Sequence, residues 1–169
     1  EDSVGSNTLV AYSDPDVVDG IRLLGRTFVS ASEQYLSAAD HASLSVGSTD
    51  FSLLAWFRPP SAQGYFSIAK SGLSSSQTVE YRLDINRSSD SSGAVSFCVF
   101  DNDSPYQDQS YASISLNNID TGGGQTAKWE TGSWYMAIAR WVDSADRVII
   151  DLWQGITTSG EMPEIVWNE

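Results

Sequence analysis

The chain has 169 residues, 41% of them hydrophobic, and a formal net charge of −13 from 22 acidic and nine basic side chains. That length suits one domain with a real core, and six Trp, seven Tyr and six Phe exclude a chain too polar to fold. The charge excludes partners that need a basic face, namely nucleic acid and anionic membranes.

In chain order, Glu1 to Thr8 reads as a loose polar lead and Leu9 to Tyr12 as an edge strand. Asp14-Pro15-Asp16-Val17-Val18-Asp19-Gly20 reads as a turn, because Pro fixes one dihedral and Gly permits a positive one. Ile21 to Val29 returns as a strand. The stretch that organises the chain runs from Tyr35 to Pro59. It opens with a short apolar strand and a turn-rich loop. A strand follows that alternates Phe51, Leu53, Ala55 and Phe57 against Ser52, Leu54, Trp56 and Arg58.

Further strands are predicted at Tyr65 to Lys70, Thr78 to Ile85, Ala94 to Phe100 and Tyr111 to Leu116, with Asn86 to Gly93 as a turn. Val79, Tyr81, Leu83 and Ile85 should point inward, and Cys98 should be a small buried residue. A last long hairpin sets Trp134, Met136 and Ile138 against Tyr135, Ala137 and Ala139, answered by Val148, Ile150 and Leu152 across a turn near Asp143 to Asp146. No helical period is sustained anywhere, so the expected fold is all-β, a two-sheet antiparallel jelly-roll sandwich of about ten strands. Residues 1–169 should form a single domain with no run long enough for membrane insertion. The first residue is Glu1 rather than Met, so the chain is expected to be processed or excised from something longer.

Gln34-Tyr35-Leu36, Asp40, Leu44, Asp50-Phe51-Ser52-Leu53 and Ala55-Trp56-Phe57 resemble the opening of laminin-G-like domains in the concanavalin A-like lectin and glucanase superfamily. Gly132 to Arg140 resembles that family's strand beginning with Trp, and Arg147 to Gly155 resembles the strand after it. Two departures stand out. Asp151 falls where the family has an aliphatic residue, so either the strand is shifted by one, the preferred reading, or Asp151 lines a polar groove. Glu164-Ile165-Val166-Trp167 is the one candidate for a closing strand, the alternative being a segment of another chain.

Several chemistries fail on residue counts and spacing. The superfamily's glucanases carry Glu-x-Asp-x-(x)-Glu on one strand, which sets two carboxylates about 5 Å apart, and nothing here matches it, so a glycoside hydrolase is the least favoured reading. His41, the one histidine, cannot make a zinc site of paired imidazoles, and neither Ser nor Cys98 has a catalytic partner in sequence. Calcium is the more suitable cofactor. Asp101-Asn102-Asp103 with Asp108, and Asp14 with Asp16 and Asp19, can aim oxygens at a hard cation, and the resemblance to laminin-G-like domains implies calcium at the sandwich rim. Tyr106 and Trp129, in expected loops, are candidate platforms for a sugar ring.

These observations lead to a non-catalytic recognition or adhesion module, binding glycan or protein through rim loops with calcium assisting. The alternative is a virion or surface structural protein, such as a phage capsid decoration or tail-fibre domain, that self-associates through its terminal strand. Both readings place the chain outside a cell or on a virion surface.

Overall fold

The computed structural model describes residues 7–20, 24–39, 41–46, 49–59, 64–71, 79–89, 92–100, 109–115, 119–120, 126–127, 133–155 and 164–168. The described fold is all-β: every sheet is antiparallel, and the helical content is three short 3-10 turns. The chain groups into two compact units, Glu1–Ser45 and Val46–Glu169.

In the first unit, β1 (Val10–Tyr12) pairs with β4 (Tyr35–Ser37), and β2 (Asp16–Asp19) pairs with β3 (Leu24–Thr27). The expected turn over Asp14 to Gly20 is therefore displaced. Ser13 and Asp14 take positive φ and Pro15 follows, so the chain turns before Asp16, and Val17 and Val18 extend as β-branched residues prefer. Arg26 Nη1 donates to Pro15 O at 2.8 Å, and Gln34 Nε2 donates to Ser13 O at 2.9 Å, which fixes that turn from two sides. Tyr12 and Tyr35 stack across the β1–β4 ladder with centroids 4.7 Å apart. Two-stranded ladders have little inside, and Pro15 is the only described residue of this unit that is buried.

The second unit holds two four-stranded sheets. One has the order β14-β13-β12-β5, from Glu164–Asn168, Arg147–Gly155, Trp134–Val142 and Phe51–Phe57. The other has the order β6-β7-β8-β9, from Gly64–Lys70, Tyr81–Ser89, Ser92–Phe100 and Gln109–Ser115. Ile119–Asp120 (β10) and Thr126–Ala127 (β11) form a short ladder of their own. Period-two patterning sends one face of each large sheet into a shared core: Phe57, Tyr135, Ala137, Ala139, Trp141, Ile150 and Leu152 from the first meet Leu83, Ile85, Val95, Phe97 and Ile114 from the second. Each large apolar side chain removed from water there contributes about 1.5–3 kcal/mol before entropy is subtracted.

The alternations expected over Phe51 to Phe57, Trp134 to Trp141 and Val148 to Leu152 hold in this core, and Val79, Leu83 and Ile85 are buried as their pattern requires. The two strands of the organising stretch do not meet each other. β4 pairs with β1 and β5 pairs with β12, because the faces that need covering differ. The turn expected over Asn86 to Gly93 is shorter, since β7 runs on to Ser89 and β8 begins at Ser92. Glu164 to Asn168 does close the sheet from within the chain, on the free side of β13.

Two local devices hold the connections. Asp50 Oδ1 accepts from Asp143 N at 2.8 Å, anchoring the 3-10 turn Asp143–Ala145 between β12 and β13. Asp146 then takes the left-handed conformation that returns the chain into β13, a conformation Asp tolerates. Gly64 enters β6 at φ 153, where a Cβ would come within 3.1 Å of the Phe66 ring.

Candidate functional site

Because Tyr81, Leu83 and Ile85 take the core side of β7, Arg82 and Asp84 are placed on the outer face of their sheet. Ser67 and Tyr65 arrive beside them from β6: Ser67 is directly opposite Asp84 in the ladder, and Tyr65 opposite Asn86. Ser96 and Ser113 continue the Ser67–Asp84 row onto β8 and β9, with their hydroxyls 3.4 Å apart.

Asp84 is 0% exposed although it lies on an outer face. A carboxylate taken out of water must be compensated, and two hydroxyl donors and one cation do so. Ser67 Oγ donates to Oδ1 at 2.7 Å, Tyr65 OH donates to Oδ2, and Arg82 Nε approaches Oδ2 as an ion pair. The Nε–H does not align on that oxygen, so charge rather than a directional hydrogen bond ties Arg82 to Asp84. The guanidinium sits 5.6 Å from the centroid of the Tyr65 ring and 5.6 Å from that of Phe100, an arginine between two aromatic faces.

The electrostatics follow from this packing. Burial of its hydroxyl pushes the Tyr65 phenol well above its ordinary range, and the hydrogen bond to Asp84 pushes further. The residue as a whole is 53% exposed, so the ring offers a face to solvent while its polar tip is tucked into the sheet. For Arg82, burial disfavours the charge, but Asp84, Tyr65 and Cys98 together outweigh it and raise the value. Burial raises the Cys98 thiol, with Arg82 pulling the other way. Cys98 is buried as expected, yet it lies outside the apolar cluster, opposite Arg82 in the β7–β8 ladder.

The other sheet presents a different outer face. Trp56, Met136 and Trp153 form one cross-strand row and Leu54, Ile138 and Asp151 the next. Arg58 caps this face with its guanidinium 5.1 Å from the Trp134 ring centroid. Leu54 is 60% exposed, Trp56, Met136, Ile138 and Trp153 are half-buried, and Asp151 is buried. Asp151 accepts from Arg140 Nη2 and faces away from the core. The β12–β13 ladder runs unbroken from Trp134↔Gly155 to Val142↔Arg147, so the one-residue shift expected for this strand does not occur. An outward position with a cation beside it accommodates the carboxylate without moving the register.

The residues singled out in sequence are placed as follows. Asp14 lies in the turn before β2, and Asp16 and Asp19 lie at its two ends. An odd separation puts Asp16 and Asp19 on opposite faces of the strand, so the three carboxylates are not brought together. Among the described residues no group of three or more His, Cys, Asp or Glu could hold a metal ion. Asp101, Asp103, Tyr106, Asp108 and Trp129 lie outside the described residues. His41 is exposed and its Nδ1 accepts from Ser43 N at 3.2 Å, capping the 3-10 turn Ala42–Leu44.

The Tyr65–Arg82–Asp84 cluster was not anticipated. The available signal is opposite charge at i and i+2 within an alternating strand, which places both on the non-core face and asks what neutralises them there. Compared with protein families, curated proteins and solved structures, the chain finds no match. Among the described residues no helix is long and apolar enough to cross a membrane.

Proposed function

We propose that this chain is a non-catalytic recognition module, folded as a concanavalin A-like jelly-roll sandwich of the laminin-G-like kind, whose ligand is a glycan bound on the outer face of β6 to β9. The strand orders of the two large sheets and their common core support the fold reading. One observation carries the binding reading: the half-exposed Tyr65 ring is braced by Asp84 at its hydroxyl and by Arg82 at its side. A rigid aromatic face beside fixed polar groups is what a pyranose ring requires, since one sugar face is apolar and its rim is hydroxyls. A binding role also suits Asp84, whose carboxylate is occupied by two hydroxyl donors and a guanidinium, and the described ladder positions of that face hold no second carboxylate for acid and base work.

The test is a glycan array probed with the wild-type chain, Tyr65→Ala, and Ser52→Ala on the opposite sheet as a control, with thermal melts to verify folding. Binding that is present in wild type and Ser52→Ala and lost in folded Tyr65→Ala is the expected result. Binding unchanged by Tyr65→Ala would remove this face from the reading.

A second reading, a virion or surface structural component that self-associates, is favoured by the apolar row Trp56, Met136 and Trp153 on the other sheet. Sedimentation equilibrium that finds dimers in wild type and monomers in Leu54→Lys would favour it, and a strict monomer at high concentration would end it.

A further inference from the structure

The ladder between β6 and β7 contains one pairing that works against stability. Lys70 stands directly opposite Arg82, so two cations occupy neighbouring positions on the same face. Directly opposed like charges are unfavourable in an antiparallel sheet. No other two cations face each other in the described ladders of this chain, which has only nine Lys and Arg in all. Arg82 belongs to the Tyr65 cluster, and Lys70 stands beside it on the neighbouring strand.

The local charge count is unequal. Among the described ladder residues, Lys70 and Arg82 give two positive charges and Asp84 returns one negative, which leaves an excess of one positive charge beside an exposed aromatic ring. Arg82 is committed to Asp84 through Nε, and its guanidinium is fixed between two rings, so its remaining N–H groups keep a constant direction. Lys70 is exposed, and its flexible stem lets the ammonium follow a ligand. Asn86 is also exposed and stands opposite Tyr65 in the ladder. The strongly acidic remainder of the chain does not forbid an anion here, because fields between exposed charges fade over about 8–10 Å at physiological salt.

We propose that the glycan bound at this face is acidic, with a uronic acid ring stacked on Tyr65 and its carboxylate held between Lys70 and Arg82. This rests on the glycan reading above and adds the charge of the ligand to it. The anion turns an unfavourable cation pair into a bridged one, which is the physical reason for the pair to exist.

The experiment uses trigalacturonic acid and its neutral methyl ester as probes, measured by calorimetry against wild type, Lys70→Met and Tyr65→Ala. Lys70 is exposed, so its replacement leaves the fold intact, and a thermal melt verifies this. The expected result is that wild type binds the acid roughly fivefold more tightly than the ester, the scale of one partly exposed ion pair. Lys70→Met should abolish that preference while leaving ester binding unchanged, and Tyr65→Ala should abolish both. Equal affinity for acid and ester, with both lost in Tyr65→Ala, would overturn the acidic ligand and leave the glycan reading standing. No binding of either probe, with Tyr65-dependent binding of neutral sugars on the array, would do the same. An array with no Tyr65-dependent glycan at all would overturn both.

Discussion

The two large sheets each carry an Arg–Asp pair on the outer face, and the pairs are built differently. Arg82 and Asp84 are two residues apart on one strand, and Tyr65 and Ser67 on the neighbouring strand also donate to Asp84. Arg140 and Asp151 lie on adjacent strands among Ile138, Ile149 and Trp153, and Arg140 is the donor to Asp151. The contrast teaches that a nearly buried carboxylate can be stabilised by one cation or by a set of hydroxyls plus a cation. In the second arrangement the hydroxyls share the carboxylate with the cation.

That difference can be broken most severely at Arg140. Arg140→Met leaves Asp151 without its cation in an apolar setting and should cost about 3–5 kcal/mol, read as a fall in the urea midpoint at unchanged slope. The double change Arg140→Met with Asp151→Leu should recover most of the loss, because an apolar pair removes the unpaired buried carboxylate along with its cation. Arg82→Met should be milder, about 1.5–3 kcal/mol, since Tyr65 and Ser67 still donate to Asp84. Equal losses at the two arginines would show that the hydroxyls contribute nothing.

Alkaline titration sharpens the same comparison. Burial raises the Cys98 thiol and the Tyr65 and Tyr81 phenols in the folded state. The unfolded chain therefore loses these protons first, starting near the ordinary thiol value of about 8.5 and continuing through the phenol value of about 10. The folded state then binds more protons, so stability is full below pH ~8.5 and falls as pH rises beyond it. Tyr65→Phe should flatten the alkaline fall measured by urea midpoints, and Arg140→Met should leave its slope unchanged. In the native state Cys98 should resist a thiol reagent at neutral pH and react once the chain is unfolded. The smallest effect is expected at Leu54→Lys on the apolar face: within about 0.5 kcal/mol in stability. Its consequence would instead be visible as weaker self-association by sedimentation.

Much of the fold was legible because one physical rule dominates it. Wherever a strand has one face on the core, its apolar residues fall at every second position, so Phe51 to Phe57, Trp134 to Trp141 and Val148 to Leu152 could be assigned to faces from the chain alone. The same rule misled at Asp151, where a charged residue in an apolar strand was read as a register error. It is instead an outward residue paired to Arg140. Asp16 and Asp19 looked like convergent ligands in a turn and became opposite faces of a strand, because Ser13 and Asp14 turned the chain earlier.

Composition and alternation, then, determined that this chain is β-structured, which residues its large sheets bury, and that its surface is acidic. The hairpins that join β7 to β8 and β12 to β13 were legible too, but the pairings of β5 with β12 and β4 with β1 were not, because they are settled by non-local contacts that a periodic pattern does not encode. Setting β6 beside β7 is what brings Tyr65, Ser67 and Lys70 to Arg82 and Asp84. The candidate site exists only through that adjacency: a buried carboxylate, its hydroxyl donors and an opposed pair of cations are meaningful as a group, and the group is assembled from two successive strands whose pairing register decides which residues meet.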